Sequence, residues 1–245
     1  MSLVKLDLMN RYRRSVLGIG WSLLQPISMT IVLCVVFRAI MDIDIRDYAP
    51  FVLSGMVIWN FINSAVIEGC QSLYNGEKYI RTYSAPMAIY PLRTALGIMV
   101  HFLLTLLVLF AATALLSGFK AALPMLVVPP AVLLLFLFGW ALTTIFGFIT
   151  VYLPDAQYLS QIVLQLLFYL TPIFYPPEMM AKRGVGIILR LNPLGSFFEL
   201  LRAPILHGKF PSLEATLVCS CTVAATVLLA VIMLRRCERR IIYYM

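Results

Sequence analysis

Apolar residues run along this chain in six long blocks, separated by short polar or proline-rich breaks. A helix that crosses a bilayer needs about twenty mainly apolar residues. The blocks Gly20 to Met41, Tyr48 to Leu73, Leu92 to Ser117, Leu123 to Val151, Ala156 to Thr171 and Leu213 to Leu234 reach or approach that length. The pattern predicts one all-α integral membrane domain over residues 1–245, with six transmembrane helices. Ahead of the first block, Met1, Val4, Leu8, Tyr12 and Val16 recur at three- and four-residue intervals, while Lys5, Asp7, Arg11 and Arg14 fall elsewhere on the helical wheel. This spacing fits an amphipathic helix over 1–17 lying at a lipid surface. A solvated basic N-terminus that anchors the first span accounts for the same residues.

Composition agrees with the pattern. The chain is 62% hydrophobic and 12% charged, against about half and a quarter in soluble domains. Its net charge of +8 would point to nucleic acid in a soluble protein. Here the basic residues gather at the ends of apolar blocks, as membrane topology requires, and a nucleic-acid partner is excluded. The apolar run after Arg14 is too long for a signal peptide and lacks a small-residue cleavage site, so the first span is expected to stay. Most of the five cysteines, Cys34, Cys70, Cys219, Cys221 and Cys237, lie inside apolar runs and read as small hydrophobes. Cys219 and Cys221 are two apart, so a helix turns them away from each other.

Six spans place both termini on one side. That side collects Lys5, Arg11, Arg13, Arg14, Lys78, Arg81, Arg93 and the four arginines after Leu234, for a net +6, while the opposite side has a net +2. The positive-inside rule then puts both termini in the cytoplasm.

The connections carry the remaining signals. Asp42 to Asp47 is a short acidic outer loop with no assigned chemistry. Glu68 sits near the end of the second span, where snorkelling and a functional role both explain it. Asn75 to Arg93 combines turn formers, tyrosines and Pro86 and Pro91, which suits an interfacial loop or a docking segment. His101 reads as a packed histidine. Pro129 and Pro130 are expected to kink the fourth span near its outer end, and Asp155 to cap the fifth. Thr171 to Ser212 is too long for a connector, and its apolar pieces are too short to cross. Pro172, Pro176, Pro177, Pro193 and Pro204 break it into half-helices that suit re-entrant or interfacial placement. Lys182, Arg183, Arg190, Arg202 and Lys209 on this outer segment breach the charge rule: either they line a path for an anionic substrate or headgroup or the topology differs there, and the first is favoured because the remaining charges fit.

No Walker A loop, no metal-ligand spacing and no converging set of acids or histidines is present, so neither a catalytic nor a metal-binding residue is assigned and energy must come from a partner.

Three stretches carry a resemblance: RYRRSVLGIGWSLLQP at Arg11 to Pro26, the proline-rich segment around Thr171 to Pro177, and LNPLGSFFELLR at Leu191 to Arg202. Together they resemble the ABC-2 permease family, and within it the membrane subunits that export O antigen, capsule or teichoic acid. The resemblance implies a homodimer in the bacterial inner membrane, paired with two separate ATP-binding cassette subunits that hold ATP and Mg, and no cofactor in this chain. The cargo it implies is a polymer linked to undecaprenyl pyrophosphate. By this likeness 1–17 is an interfacial helix, 75–91 contains the coupling helix that receives the ATPase stroke, and 172–212 forms outer re-entrant helices that close the exit. Glu77, Lys78, Tyr79, Arg81 and Tyr83 are then the coupling residues. Arg11, Arg13 and Arg14 would meet the lipid pyrophosphate at the entrance, although anionic lipid explains their charge equally well. Trp59, Phe61, Phe168, Tyr169 and Phe174 are candidate channel aromatics for sugar faces, against ordinary helix packing. The competing readings are an ABC-2 permease for a drug or lipid, and a membrane enzyme of lipid-linked sugar metabolism.

Overall fold

A computed structural model describes residues 18–41, 44–76, 86–118, 122–176 and 192–241. Among these the chain forms helices and no strand. They are α1 (Trp21–Met41), α2 (Ile45–Gln71), α3 (Ile89–Leu116), the single turn α4 (Ala122–Met125), α5 (Val128–Tyr152), α6 (Ala156–Leu170), α7 (Leu194–His207) and α8 (Leu213–Ile241). Arg11, Arg13 and Arg14, expected at the entrance, Glu77, Lys78, Tyr79, Arg81 and Tyr83, expected to couple to the ATPase, and Lys182, Arg183 and Arg190, expected on the outer segment, lie outside the described residues. Four helices among those described are long and apolar enough to cross a bilayer: α2, α3, α4 with α5, and α8. Two shorter apolar helices, Leu23–Ala39 within α1 and Ala156–Leu170, make up the six expected blocks. At 1.5 Å per residue, fifteen residues of α6 reach about 22 Å, short of a hydrocarbon core of about 30 Å.

α2 is the helix around which the others pack. Its start is set by Asp44, whose extended backbone (φ −68°, ψ 122°) and carboxylate, accepting from Arg46 N, make it the N-cap. This is the role that Asp44 contributes. Pro50 inside α2 has no amide for the Arg46 carbonyl, and Ser117 Oγ, from the end of α3, donates to that carbonyl at 3.0 Å. From Tyr48 to Cys70 buried residues appear on every side of α2, which contacts α1, α3, α5, α6 and α7.

Small residues set how closely α2 and α5 approach. Gly139, Thr143 and Gly147 recur every four residues on α5 and share one face. A Cβ added to Gly69 would stand 2.7 Å from the Thr143 Cα, and one on Gly147 would stand 2.5 Å from Ser72 Oγ. Contacts this short allow backbone against backbone, the main source of helix association where lipid is as apolar as leucine. Hydroxyls are absorbed locally. Thr30, Thr105, Thr113, Thr144, Thr150 and Ser160 each donate to the carbonyl four residues earlier at 2.6–3.1 Å, which removes the penalty of a bare hydroxyl in an apolar bundle.

Two local expectations change. Pro129 and Pro130 do not kink a continuous span. The helix breaks after Met125, and they occupy the first turn of α5, where a missing amide forfeits no intrahelical bond. Asp155 stands at the N-cap position of α6, but its side chain makes no capping bond, because its own backbone is already helical (φ −68°, ψ −12°) and a capping side chain needs extended geometry. The cysteines behave as read: Cys219 is buried and Cys221 exposed, and Cys34 and Cys70 are buried thiols.

A second apolar cluster joins Leu73, Met87, Tyr90, Phe148 and Val151, with Met233 and Leu234 of α8 packed on it. It fastens the two roots of the 77–85 stretch to each other and to the ends of α5 and α8. Gly76 leaves the space that the Tyr90 ring fills.

Candidate functional site

The chemistry of the described fold concentrates where α6 ends. The sequence TPIFYP, Thr171 to Pro176, cannot continue a helix, since a residue before proline is pushed to extended backbone. Thr171 accordingly adopts φ −94°, ψ 138° and closes α6, with its amide and hydroxyl both donating to the Leu167 carbonyl. The following strap, 172–176, is non-helical and leads toward α7. Its carbonyls have no helical partners and must be filled by side chains.

Three consecutive carbonyls are filled in this way. Arg202 of α7 donates through Nη1 to Pro172 O at 2.8 Å and through Nη2 to Ile173 O at 2.7 Å, and Tyr48 of α2 donates through Oη to Phe174 O at 2.6 Å. The same guanidinium reaches α2, with Nη2 donating to Phe51 O at 3.2 Å and Nε to Ser54 Oγ at 3.0 Å. Its carbon lies 3.8 Å from the centre of the Phe51 ring and 5.3 Å from that of Phe198, within cation–π range. Arg202 is 7% exposed. Among the described residues its partners are carbonyls, one hydroxyl and two aromatic faces, with no carboxylate. Arginine keeps its charge in such surroundings, and among the described residues carbonyl dipoles, the Ser54 hydroxyl and ring faces compensate it.

The notch that receives the guanidinium is Ser54 and Gly55. A Cβ on Gly55 would stand 2.6 Å from both Arg202 Nη2 and Ile173 O. Only glycine lets the cation and the strap sit against α2 together. Asn192 secures the other side, donating to Thr171 Oγ1 at 2.8 Å and accepting from Leu194 N at 3.1 Å at the start of α7. Gly208 (φ +60°) ends α7 in the left-handed conformation that glycine adopts without strain. The Tyr175 hydroxyl donates to Tyr169 O at 2.9 Å.

The reading of Arg202 as part of an anionic path is therefore corrected. Four of its five N–H groups are engaged by backbone and hydroxyl oxygens, and the side chain is buried. Lys209 remains exposed. Sequence position could not reveal this arrangement, because its acceptors lie in two distant segments. The available signals were a Ser-Gly pair inside an apolar span and a broken segment in need of donors.

Four of the five candidate channel aromatics meet in one chain of rings. Trp59 of α2 contacts Phe168 at 5.5 Å, and Phe168 contacts both Tyr169 at 5.4 Å and Phe174 at 5.8 Å. Phe174 continues to Phe37 of α1, and Phe37 to Tyr48, each at 5.8 Å. Phe61 stands apart, paired with Phe102 of α3 at 5.0 Å and filling the space above Gly139. Trp59 and Phe61 are buried within the chain, Phe168 and Phe174 are half-buried, and Tyr169 is exposed. Among the described residues no group of His, Cys, Asp or Glu is placed to hold a metal ion. The arrangement positions backbone and offers ring faces, and it displays no nucleophile with a base beside it.

Comparison with known proteins fits this picture. The chain is 27% identical over 205 residues to the O-antigen export system permease protein RfbA of Klebsiella pneumoniae, covering 82% of this chain and 78% of that protein. It is 26% identical over 215 residues to the protein of the same description from Myxococcus xanthus, covering 87% and 82%. A family model described as ABC-2 type transporter matches residues 1–206, which include the ring chain, the strap and Arg202. This chain belongs to the ABC-2 type transporter family.

Proposed function

We propose that this chain is the membrane-spanning subunit of an ATP-driven exporter that carries an O-antigen polysaccharide, linked to undecaprenyl pyrophosphate, across the bacterial inner membrane. The observation that carries this reading is the match of most of the chain to permeases of O-antigen export systems. The subunit works as a homodimer with two ATP-binding subunits, which bind and hydrolyse ATP with Mg. The sequence supports that division of labour, since it contains no Walker A loop. It crosses the membrane six times with both termini in the cytoplasm. The short α6 crossing is completed by the strap 172–176, and the re-entrant segment 172–212 closes the exit.

In this mechanism 75–91 receives the ATPase stroke through Glu77, Lys78, Tyr79, Arg81 and Tyr83. The stroke passes into α5 and α8 through the cluster of Tyr90, Phe148 and Met233. Arg11, Arg13 and Arg14 meet the pyrophosphate at the entrance. Phe168, Tyr169 and Phe174, whose rings keep some exposure, offer faces on which sugars stack weakly, and Trp59 braces Phe168 from behind.

The test is a deletion strain of the native host. Loss of surface polysaccharide with accumulation of lipid-linked polymer inside the cell, restored by the wild-type chain together with its ATPase, is the expected result. Unchanged surface polysaccharide with loss of resistance to a drug, or with altered lipid content, would replace the cargo assignment. Turnover of lipid-linked sugar by the purified subunit alone would replace transport with catalysis. Changing Arg11, Arg13 and Arg14 together to glutamine is expected to reduce export while subunit abundance in the membrane stays normal.

A further inference from the structure

The strap 172–176 is bonded unequally to its neighbours. Its carbonyls at Pro172, Ile173 and Phe174 are filled from α7 and α2 by Arg202 and Tyr48, and the same Arg202 also binds Phe51 O and Ser54 Oγ of α2. A guanidinium forked over several acceptors fixes orientation as well as distance. Toward α6, the helix it continues, the links are fewer and weaker. They are the covalent chain through extended Thr171, the bond from Ile173 N to Thr171 O at 2.7 Å, the Phe168–Phe174 ring contact at 5.8 Å, and the exposed hydrogen bond from Tyr175 Oη to Tyr169 O, while Thr171 itself is held at its hydroxyl by Asn192.

α6 itself is lightly held. Of its fifteen residues only Ala156, Ser160 and Leu164 are buried, while Tyr158, Leu159, Ile162, Val163, Leu166 and Tyr169 are exposed. Its other end is tied to α2 by an amide pair, Gln71 Nε2 donating to Gln157 Oε1, and by the contact of the Cys70 thiol with the Ser160 hydroxyl. A lightly packed helix that ends in one extended residue, joined to a segment bolted elsewhere, has the form of a hinge.

We propose that Arg202 is a positioning residue that makes the strap one rigid body with α2 and α7, so that α6 tilts about Thr171 without carrying the strap. The consequence for a transporter is that the strap and α7 keep their seat on α2 while α6 moves. The nucleotide-dependent part of this statement rests on the transport reading, and the static part does not.

The test measures distances by pulsed electron resonance between genetically encoded spin labels at Asp47 on α2 and at either Pro176 in the strap or Ile162 on α6. Labelled protomer is diluted with unlabelled protomer in the complex with the ATPase partner in lipid nanodiscs. The expected result is a single narrow 47–176 distance that is the same in nucleotide-free and ATP-trapped complexes, while the 47–162 distance shifts. Arg202→Gln is expected to broaden the 47–176 distribution without nucleotide, and Arg202→Lys, which keeps charge but not the fork, to broaden it less. Tyr48→Phe with Ser54→Ala, which removes the Tyr48 donor to Phe174 O and the Ser54 hydroxyl that accepts from Arg202 Nε and donates to Phe51 O but spares the guanidinium, guards against loss of fold and is expected to broaden it measurably. A 47–176 distance that shifts with nucleotide together with 47–162 would overturn the proposal. So would a narrow, unchanged 47–176 peak in folded Arg202→Gln and in the double variant. Failure to bind any ATPase would strike the transport reading, while the nucleotide-free comparison of wild type with the variants would still decide the clamp.

Discussion

α2 and α8 are both long apolar helices, and the protein uses them in opposite ways. In α2, 72% of the apolar stretch is buried in protein, against 17% in α8, with α5 at 50% and α3 at 33% between them. Hydropathy ranks the four in the reverse order, so the most apolar helix is the least buried. In water that relation would be perverse, because burial is driven by apolar area. In a bilayer lipid already satisfies apolar side chains, so a helix gains nothing by hiding leucines. It gains by hiding what lipid cannot accommodate. Ser54 with its bond to Arg202, the Gly69 approach to Thr143 and the Pro50 gap filled by Ser117 are all on α2. Such features lower the mean hydropathy of α2 and tie it to its neighbours.

The contrast is most severely tested at Arg202. Arg202→Met keeps length and apolar bulk but leaves the carbonyls of Pro172 and Ile173 without their donor, while Phe51 O keeps the Ser54 hydroxyl. At about 1–3 kcal/mol for each stranded buried carbonyl, the loss is expected to sum to roughly 4 kcal/mol. Titration with a denaturing detergent would measure it, with a thiol-reactive dye reporting the release of buried Cys34, Cys70 and Cys219. A loss below about 1 kcal/mol would mean that the strap finds other donors and that the clamp does not hold it.

Phe148→Ala comes next. Phe148 is fully buried in α5 against Leu73 and Tyr90. A loss of about 3 kcal/mol is expected, the low end of the range for soluble cores, because the side chain gives up packing but no escape from water. Gly69→Ala tests the close crossing itself. The new methyl meets the Thr143 backbone, which yields less readily than a side chain, so about 1–3 kcal/mol is expected. Near-neutral behaviour would show that α2 and α5 have room to separate.

The same contrast explains what the sequence could and could not tell. The helices were legible because bilayer thickness demands long apolar runs, and α2, α3, α6 and α8 begin within three residues of the blocks read from hydropathy. The break before Pro129 was misread as a kink because proline permits either outcome, and the neighbouring turn decides. Burial was not legible, since apolar residues face lipid and protein alike. Arg202 was misplaced for a related reason. Counting charges along a loop treats each as a surface group, whereas this one is held by Phe51, Ser54, Pro172 and Ile173, some 150 and 30 residues away in sequence. The ring chain was partly legible. Aromatic type singled out Trp59, Phe168, Tyr169 and Phe174, which meet, and also Phe61, which packs with Phe102.

The smallest expected effect sharpens the comparison from the α8 side. Leu228 is 62% exposed on α8, and in a soluble protein its replacement by alanine would be a surface change within about 0.5 kcal/mol. The same small value is expected here for a different reason, because the leucine meets lipid in the folded protein and also in the separated helix. Leu228→Lys distinguishes the two explanations. On a water-facing surface lysine is also neutral, but near the middle of a lipid-facing helix it is expected to raise the insertion penalty by about 2.5–3.5 kcal/mol, less whatever snorkelling recovers. The measurement is the fraction of subunit inserted and bound to its ATPase, compared between the two variants. Equal behaviour of Leu228→Ala and Leu228→Lys would mean that this face of α8 meets water or polar protein, and low burial could then no longer be equated with contact with lipid.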